Sequence, residues 1–155
     1  MPTANPPSKD YLFNQIADLQ ARIKNLEQQP KVQAASAFSA GPISTSSGTL
    51  VALSPSPSVT AIIGASGSCV VSCSSMMYSY TAGNQSVVWL FIDGNLNAGI
   101  LQYQQPPTYG IANCGGFLQP TGLSPGSHTF SLRYNLGAGS GLVYFQNIFL
   151  GVQPI

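Results

Sequence analysis

Hydrophobic positions near the start of the chain recur with a heptad spacing. In Leu12 to Gln29, LFNQIADLQARIKNLEQQ, the residues Leu12, Ile16, Leu19, Ile23 and Leu26 are separated by four, three, four and three positions. That spacing puts Leu at d, Ile at a, and one continuous seam along a helix face. Ser8 stands where an N-cap belongs, and Asp10 in the first turn suits the positive end of the helix. These 18 residues make a rod of about 27 Å, and so short a helix is marginal alone in water, so the seam predicts a partner helix. Pro30 falls at the next a position, where its missing amide and its ring stop the helix.

Two signals compete over how many helices associate. Ile at a with Leu at d favours a parallel dimer. Against that, Arg22-Ile23-Lys24-Asn25-Leu26-Glu27 resembles the Arg-h-x-x-h-Glu signature (h apolar) of short trimeric coiled coils, with Arg22 at g and Glu27 at e positioned to pair across helices. Three strands is the favoured reading; the other possibility is an amphipathic helix docked on its own domain. Leu12, Ile16, Leu19, Arg22, Ile23, Leu26 and Glu27 are the expected oligomerisation residues.

Beyond the helix the period changes. Residues 30–46 carry Ala, Ser and Gly41-Pro42 without sustained alternation and read as a linker. From Ser47 onward, short β-branched and aromatic runs alternate with Gly, Pro, Ser and Asn, which predicts an all-β sandwich over 47–155. Strands are expected near 48–53, 58–64, 68–80, 86–92, 98–104, 109–113, 115–119, 126–135 and 141–153. Asp93-Gly94 is a tight-turn signal, and the glycine run 137–141 predicts that 126–153 forms a hairpin of long strands. The pattern is apolar on both faces of two strands. Val87, Trp89 and Phe91 oppose Val88, Leu90 and Ile92, while Leu142, Tyr144, Ile148 and Leu150 oppose Val143, Phe145 and Phe149. A solitary antiparallel sandwich keeps one face of each sheet wet, so a neighbouring subunit is expected to cover the outside.

Composition sharpens the division. The 155 residues include five Lys/Arg and four Asp/Glu, and after residue 31 only Asp93 and Arg133 are charged. Residues 1–8, MPTANPPS, lack core-forming side chains and are expected to be an extended anchor that docks on a larger assembly. No apolar run reaches the ~18 residues of a membrane span, and no apolar segment follows a basic start as a secretion signal requires, so synthesis in a cytoplasm is expected. Cys69 and Cys73 on one strand would lie about 13 Å apart, out of disulfide reach, and with Cys114 they offer no metal-ligand spacing.

The inventory argues against catalysis. Acid–base work with paired carboxylates needs two acids, and the β-region has one. His128, the single histidine, shares parity with Phe130, Leu132 and Tyr134 and reads as structural. Gly137 to Gly141 lacks the helix and Lys of a phosphate loop, and a basic surface for nucleic acid is missing. No enzyme activity, cofactor or metal is expected, and neither nucleic acid nor membrane as a partner.

Gly48 to Gly64, the long 68–80 strand, the Trp89 strand and Ser124 to Ile155, with Gly126, His128 and Thr129 before a glycine-rich turn and an apolar-Pro-apolar tail, resemble the tumour-necrosis-factor-like jelly roll of bacteriophage virion proteins. The resemblance covers roughly 48–155. It implies a threefold trimer with its last strands near the axis. This chain departs from such heads in carrying fewer ionised residues. The expected fold is therefore a C-terminal jelly-roll β-sandwich preceded by a short parallel trimeric coiled coil (9–29). The expected function is a structural virion protein, assembled in the host cytoplasm as a homotrimeric fibre, spike or tail appendage and joined to other virion proteins through its N-terminal segment. The alternative is a receptor-binding or lectin-like module for neutral cell-wall glycans, with Tyr103 and Tyr109 as contacts and Tyr78 and Tyr80 nearby.

Overall fold

The structure is a computed structural model that describes residues 9–28 and 32–155. The chain divides into two units, Met1–Pro30 and Lys31–Ile155. In the first, α1 runs Lys9–Gln28 with Asp10 in its first turn, as the heptad spacing predicts. The Gln15 amide donates to the Tyr11 hydroxyl one turn earlier, at 2.8 Å. Every side chain described on α1 is exposed. The expected anchor 1–8, the Ser8 cap, the Leu26 side chain and the Pro30 stop lie outside the described residues. No helix among the described residues is long and apolar enough to cross a membrane.

The second unit is all β. Its strands are β1 (Ala35–Ser39), β2 (Ile43–Thr45), β3 (Ser58–Ile63), β4 (Cys69–Ser79), β5 (Gln85–Ile92), β6 (Asn95–Gln104), β7 (Ile111–Leu118), β8 (Gly126–Ala138) and β9 (Val143–Pro154). One sheet has the order β1-β9-β4-β7, with β2 also on β9, and the other has the order β3-β8-β5-β6. All pairs are antiparallel and most are nested: β1 with β9, β3 with β8, β4 with β7, β5 with β6. The chain thus doubles back as one long hairpin whose arms are wound into two sheets, closed by β4 on β9 and β5 on β8. That order is the jelly-roll arrangement, so the chain is a jelly-roll-like β-sandwich preceded by one N-terminal helix.

Several expectations change. Residues 30–46 are not simply a linker: β1 and β2 arise there and pair with β9, since Ala and Ser suit a strand that runs close to its neighbour. Residues 48–53 form no strand of their own; Val51 alone bridges Tyr134. The two strands expected at 109–119 are one, β7. A side chain at Gly116 would run into the Ile100 carbonyl and the Leu101 side chain, so that glycine permits the close approach of β7 to β6. Strands β8 and β9 lie in different sheets and are no hairpin; the glycine run carries the chain from one sheet to the other.

The core lies between the sheets and is built on Phe130, Tyr134, Phe145, Leu90, Ile148 and Leu150, all fully buried. Tyr134 packs on Phe145 with ring centroids 4.8 Å apart, and its hydroxyl shares a 2.6 Å hydrogen bond with Ser56 Oγ. Val88, Leu90 and Ile92 face inward, and the opposite face of β5 carries Val87, Trp89 and Phe91. In β9 the alternation breaks. Asn147 takes φ 51° and the register with β4 shifts between Ser74 and Met76, so Val143 and Phe145 point inward before the bulge and Ile148, Leu150 and Val152 after it. The mixed faces expected for this strand come from reading one parity through the bulge.

At one end of the sandwich, three loops meet on Asn84, which is fully buried. Its amide donates to Ser79 Oγ at 2.9 Å and its carbonyl accepts from Ser140 N at 2.9 Å. Ser79 Oγ donates in turn to the Leu142 carbonyl at 2.7 Å, and Gln105 Oε1 accepts from Ser79 N at 3.0 Å. Gly139, at φ 99°, has no room for a side chain against Asn84.

Candidate functional site

The α1 seam is uncovered in one copy. Leu12, Ile16, Leu19 and Ile23 are 46%, 51%, 53% and 55% exposed, and Arg22 and Glu27 are exposed beside them. Here the stripe is solvated, and Phe13 adds further exposed apolar area at 68%.

A second surface is the outer face of the β1-β9-β4-β7 sheet. Register aligns Phe38 with Phe149 and Ser74, and Ser36 with Gly151, Ser72 and Phe117. Phe38 and Phe117 stand up from it, 62% and 77% exposed. The Phe149 ring lies over Gly151, where a side chain would collide with it. Beside them runs a trough of about 360 Å³ lined by small residues such as Ala34, Ser36, Ser72 and Gly151.

Towards the loop end of the same sheet four tyrosines gather. Tyr78 and Tyr144 stack at 4.9 Å and 5°, Tyr80 and Tyr109 stack at 5.2 Å and 6°, and Tyr78 meets Tyr80 edge-on at 5.9 Å. Burial, then the neighbouring Tyr80 and Tyr144 phenols, push the Tyr78 hydroxyl above its ordinary range. Of the two tyrosines singled out in the sequence, Tyr109 belongs to this cluster. Tyr103 is half-buried against the core, its hydroxyl 3.4 Å from the Gly110 carbonyl. No ionised side chain stands among these strands, so the face suits apolar and aromatic contact rather than recognition of an ion.

At the other end, His128 has partners that local sequence did not reveal. Its Nδ1 is 2.6 Å from Asp93 Oδ2, and its Nε2 is 2.8 Å from the Ser124 carbonyl. Asp93 is held by the β5–β6 turn, where Asp93 and Gly94 both have positive φ, 50° and 79°, as a type I′ hairpin requires. Asp93 Oδ1 also accepts from Thr129 N at 2.8 Å. The backbone donor of Thr129, then His128, lower the Asp93 carboxyl. The Ser124 carbonyl, then Asp93, raise His128 against the opposing effect of burial.

Asp93, His128 and Ser124 resemble a catalytic triad in composition only. Both ring nitrogens face pure acceptors, a carboxylate and a carbonyl, an arrangement that favours a proton on each and so the imidazolium. Ser124 Oγ lies 3.4 Å from an Nε2 already bonded to the carbonyl, and a protonated Nε2 is no general base. The group is a clamp joining the β5–β6 turn, β8 and the loop before β8.

The three thiols are free. Cys69 and Cys73 are buried on β4, and burial pushes the Cys73 thiol up to about 12. Among the described residues no cluster of three His, Cys, Asp or Glu side chains is placed to hold a metal.

No family model matches the sequence, and no curated protein matches it. Solved structures similar to the chain include dimeric latent PorU from Porphyromonas gingivalis, at 8% identity and TM-score 0.43, over 82% of this chain and 13% of that one. A Paenibacillus cycloisomaltooligosaccharide glucanotransferase complexed with cycloisomaltoheptaose gives 14% and 0.35, over 82% and 17%. The VP2 subviral particle of infectious bursal disease virus gives 9% and 0.33, over 82% and 38%. The chain therefore spans well under half the length of each.

Proposed function

We propose that this protein is a non-enzymatic structural subunit that works as a homotrimer, a fibre, spike or tail appendage of a virion anchored through its N-terminal segment. The observation that carries the reading is the solvated heptad seam on α1, from Leu12 through Ile16 and Leu19 to Ile23. A helix this short, with its apolar stripe in water, gains stability by coiling with copies of itself.

The uncharged outer face of the β1-β9-β4-β7 sheet supports the same conclusion independently. Phe38 and Phe117 are knobs and the trough beside Gly151 is a seat, so a knob of one copy has a place on the next. A contact of that heterologous kind closes into a ring where its rotation permits and otherwise runs on as a filament. Exposed aromatic area of this extent is otherwise an aggregation risk for a monomer. The threefold count rests on Arg22 to Glu27, and the virion assignment on the resemblance of residues 48–155 to phage heads.

Light scattering on the purified chain tests the assembly. The expected mass is about three times the 16.2 kDa of one chain; a monomer at micromolar concentration overturns the reading. Detection of the chain in purified particles, and its loss from them on deleting residues 2–7, tests the virion role and the anchor.

A further inference from the structure

The outer face of the second sheet carries a feature that self-association does not use. Trp89 on β5 stands next to Gly99 on β6. A Cβ built at Gly99 would lie 3.6, 3.6 and 3.8 Å from three consecutive carbons of the indole benzo ring. Near-equal distances to adjacent ring atoms require approach to the face, since an edge approach would bring one atom much closer than its neighbours. The indole therefore lies flat over β6, and its other face is turned away from the strand.

The ring is also fixed in plane. Its Nε1 donates to Asn135 Oδ1 at 2.9 Å, and the Asn135 amide donates to the Gly48 carbonyl at 3.2 Å. Beside it is a concavity of about 340 Å³ whose lining includes Gln85, Gln102, Asn135, Gly99 and Gly137. A side chain at Gly137 would strike the Gln85 amide and Val87, so this glycine keeps the floor open. Among the described residues the amide groups of Gln85 and Gln102 make no hydrogen bond within the chain. The nearest cation, Arg133, stacks instead over Phe91 at 4.9 Å from the ring centre.

The geometry points to a binding site for a neutral saccharide at Trp89. A pre-set aromatic face takes the C–H face of a pyranose ring. Unengaged primary amides each offer a donor and an acceptor, which matches vicinal hydroxyl groups. The volume lies at the low end for small-ligand clefts, about 300–1,000 Å³, and fits a mono- or disaccharide. Phosphate-bearing ligands are disfavoured because no cation lines the cleft, Arg133 across from Trp89 on β8 being turned onto Phe91. The site is on the sheet opposite the proposed trimer face, so saccharide binding and self-association are separate claims.

Trp89 is the single tryptophan of the chain, so its emission reports on the site in the unmodified protein. The test titrates the full chain with glucose, galactose, N-acetylglucosamine and their β-linked disaccharides. At least one is expected to give a saturable change in emission. Gln85→Ala and Gln102→Ala should each weaken that response roughly three- to tenfold, without altering the mass measured by light scattering. The Leu19→Asn variant, which attacks assembly, should keep it. No response to any of these sugars overturns the proposal. So does a response that the double glutamine variant leaves intact, or one given only by glucuronic or sialic acid.

Discussion

If His128 is an imidazolium held between Asp93 and the Ser124 carbonyl, the stability of the β-sandwich must depend on pH with a definite sign. The folded pKa of His128 is raised, so its contribution is complete below the unfolded value near 6.5 and is lost as pH rises through the folded value. Asp93 is lowered, so its contribution is present above about 3.8 and is lost as pH falls through its folded value. The plateau therefore lies between about pH 4 and 6.5. Charge-assisted hydrogen bonds contribute about 1.5–3 kcal/mol each when sheltered. The Asp93 side chain is 45% exposed and that of His128 10%, so solvent screening reduces the Asp93 bond to about 1 kcal/mol or less. Moving from pH 5.5 to 8.5 should thus cost about 1–2 kcal/mol, or roughly 2–8 °C in Tm. The assay is thermal unfolding at fixed protein concentration across pH 4–9, with wild type beside Asp93→Asn. The variant should be less stable at pH 5.5 and have a flatter profile. No other histidine is present and burial raises all three thiols, so the profile belongs to this group. A wild type equally stable at pH 5.5 and 8.5 would show that the fold does not favour the imidazolium, and one more stable at pH 8.5 would show that the ring is neutral and would restore Nε2 as a base beside Ser124.

Other expected outcomes follow from separate places in the molecule. Ile16→Asn with Leu19→Asn should reduce the mass in light scattering to one chain while the far-ultraviolet β signal is retained, because both residues lie on the seam and a polar residue at each interrupts it. Asn84→Ala should destabilise by about 1–3 kcal/mol in denaturant unfolding, since it removes the acceptor of Ser140 N and a partner of the fully buried Ser79 Oγ. Tyr134→Phe should cost about 1 kcal/mol in the same measurement, since the ring stays packed on Phe145 and only the bond to Ser56 is lost.

The sequence was most legible where one period or one dipeptide determines the outcome. The helix α1 and the Asp93-Gly94 turn are of that kind, and each appears at its expected place. Strands β1 and β2 were hidden because Ala35, Ser36 and Ala37 carry no alternating signal; their strand character comes from pairing with β9, over a hundred residues later. Asn147 inverted the faces of β9 because a bulge adds one residue that no parity rule anticipates. The Gly137–Gly141 turn looked like a hairpin because a short loop within a sheet and one between sheets use the same residues. His128 was expected to be structural, but its partner Asp93 is 35 positions away and only the pairing of β5 with β8 in one sheet brings them together. The Trp89 cleft was illegible for the same reason, as it needs Gly99 and Asn135 from two neighbouring strands.

The scarcity of charge beyond residue 31 has a kinetic consequence. With Asp93 engaged by His128 and Arg133 lying on Phe91, little long-range field is left to draw two copies together or hold them apart. Encounter between the β-units alone should run at the unsteered pace of about 10⁵–10⁶ M⁻¹s⁻¹ and change little between fresh water and brine, whereas the charges of residues 9–31, Arg22 and Glu27 among them, leave the helices open to screening by salt. In the proposed trimer, whatever brings the copies into register must act at contact, through shape, or through the helices that would hold the heads near one another.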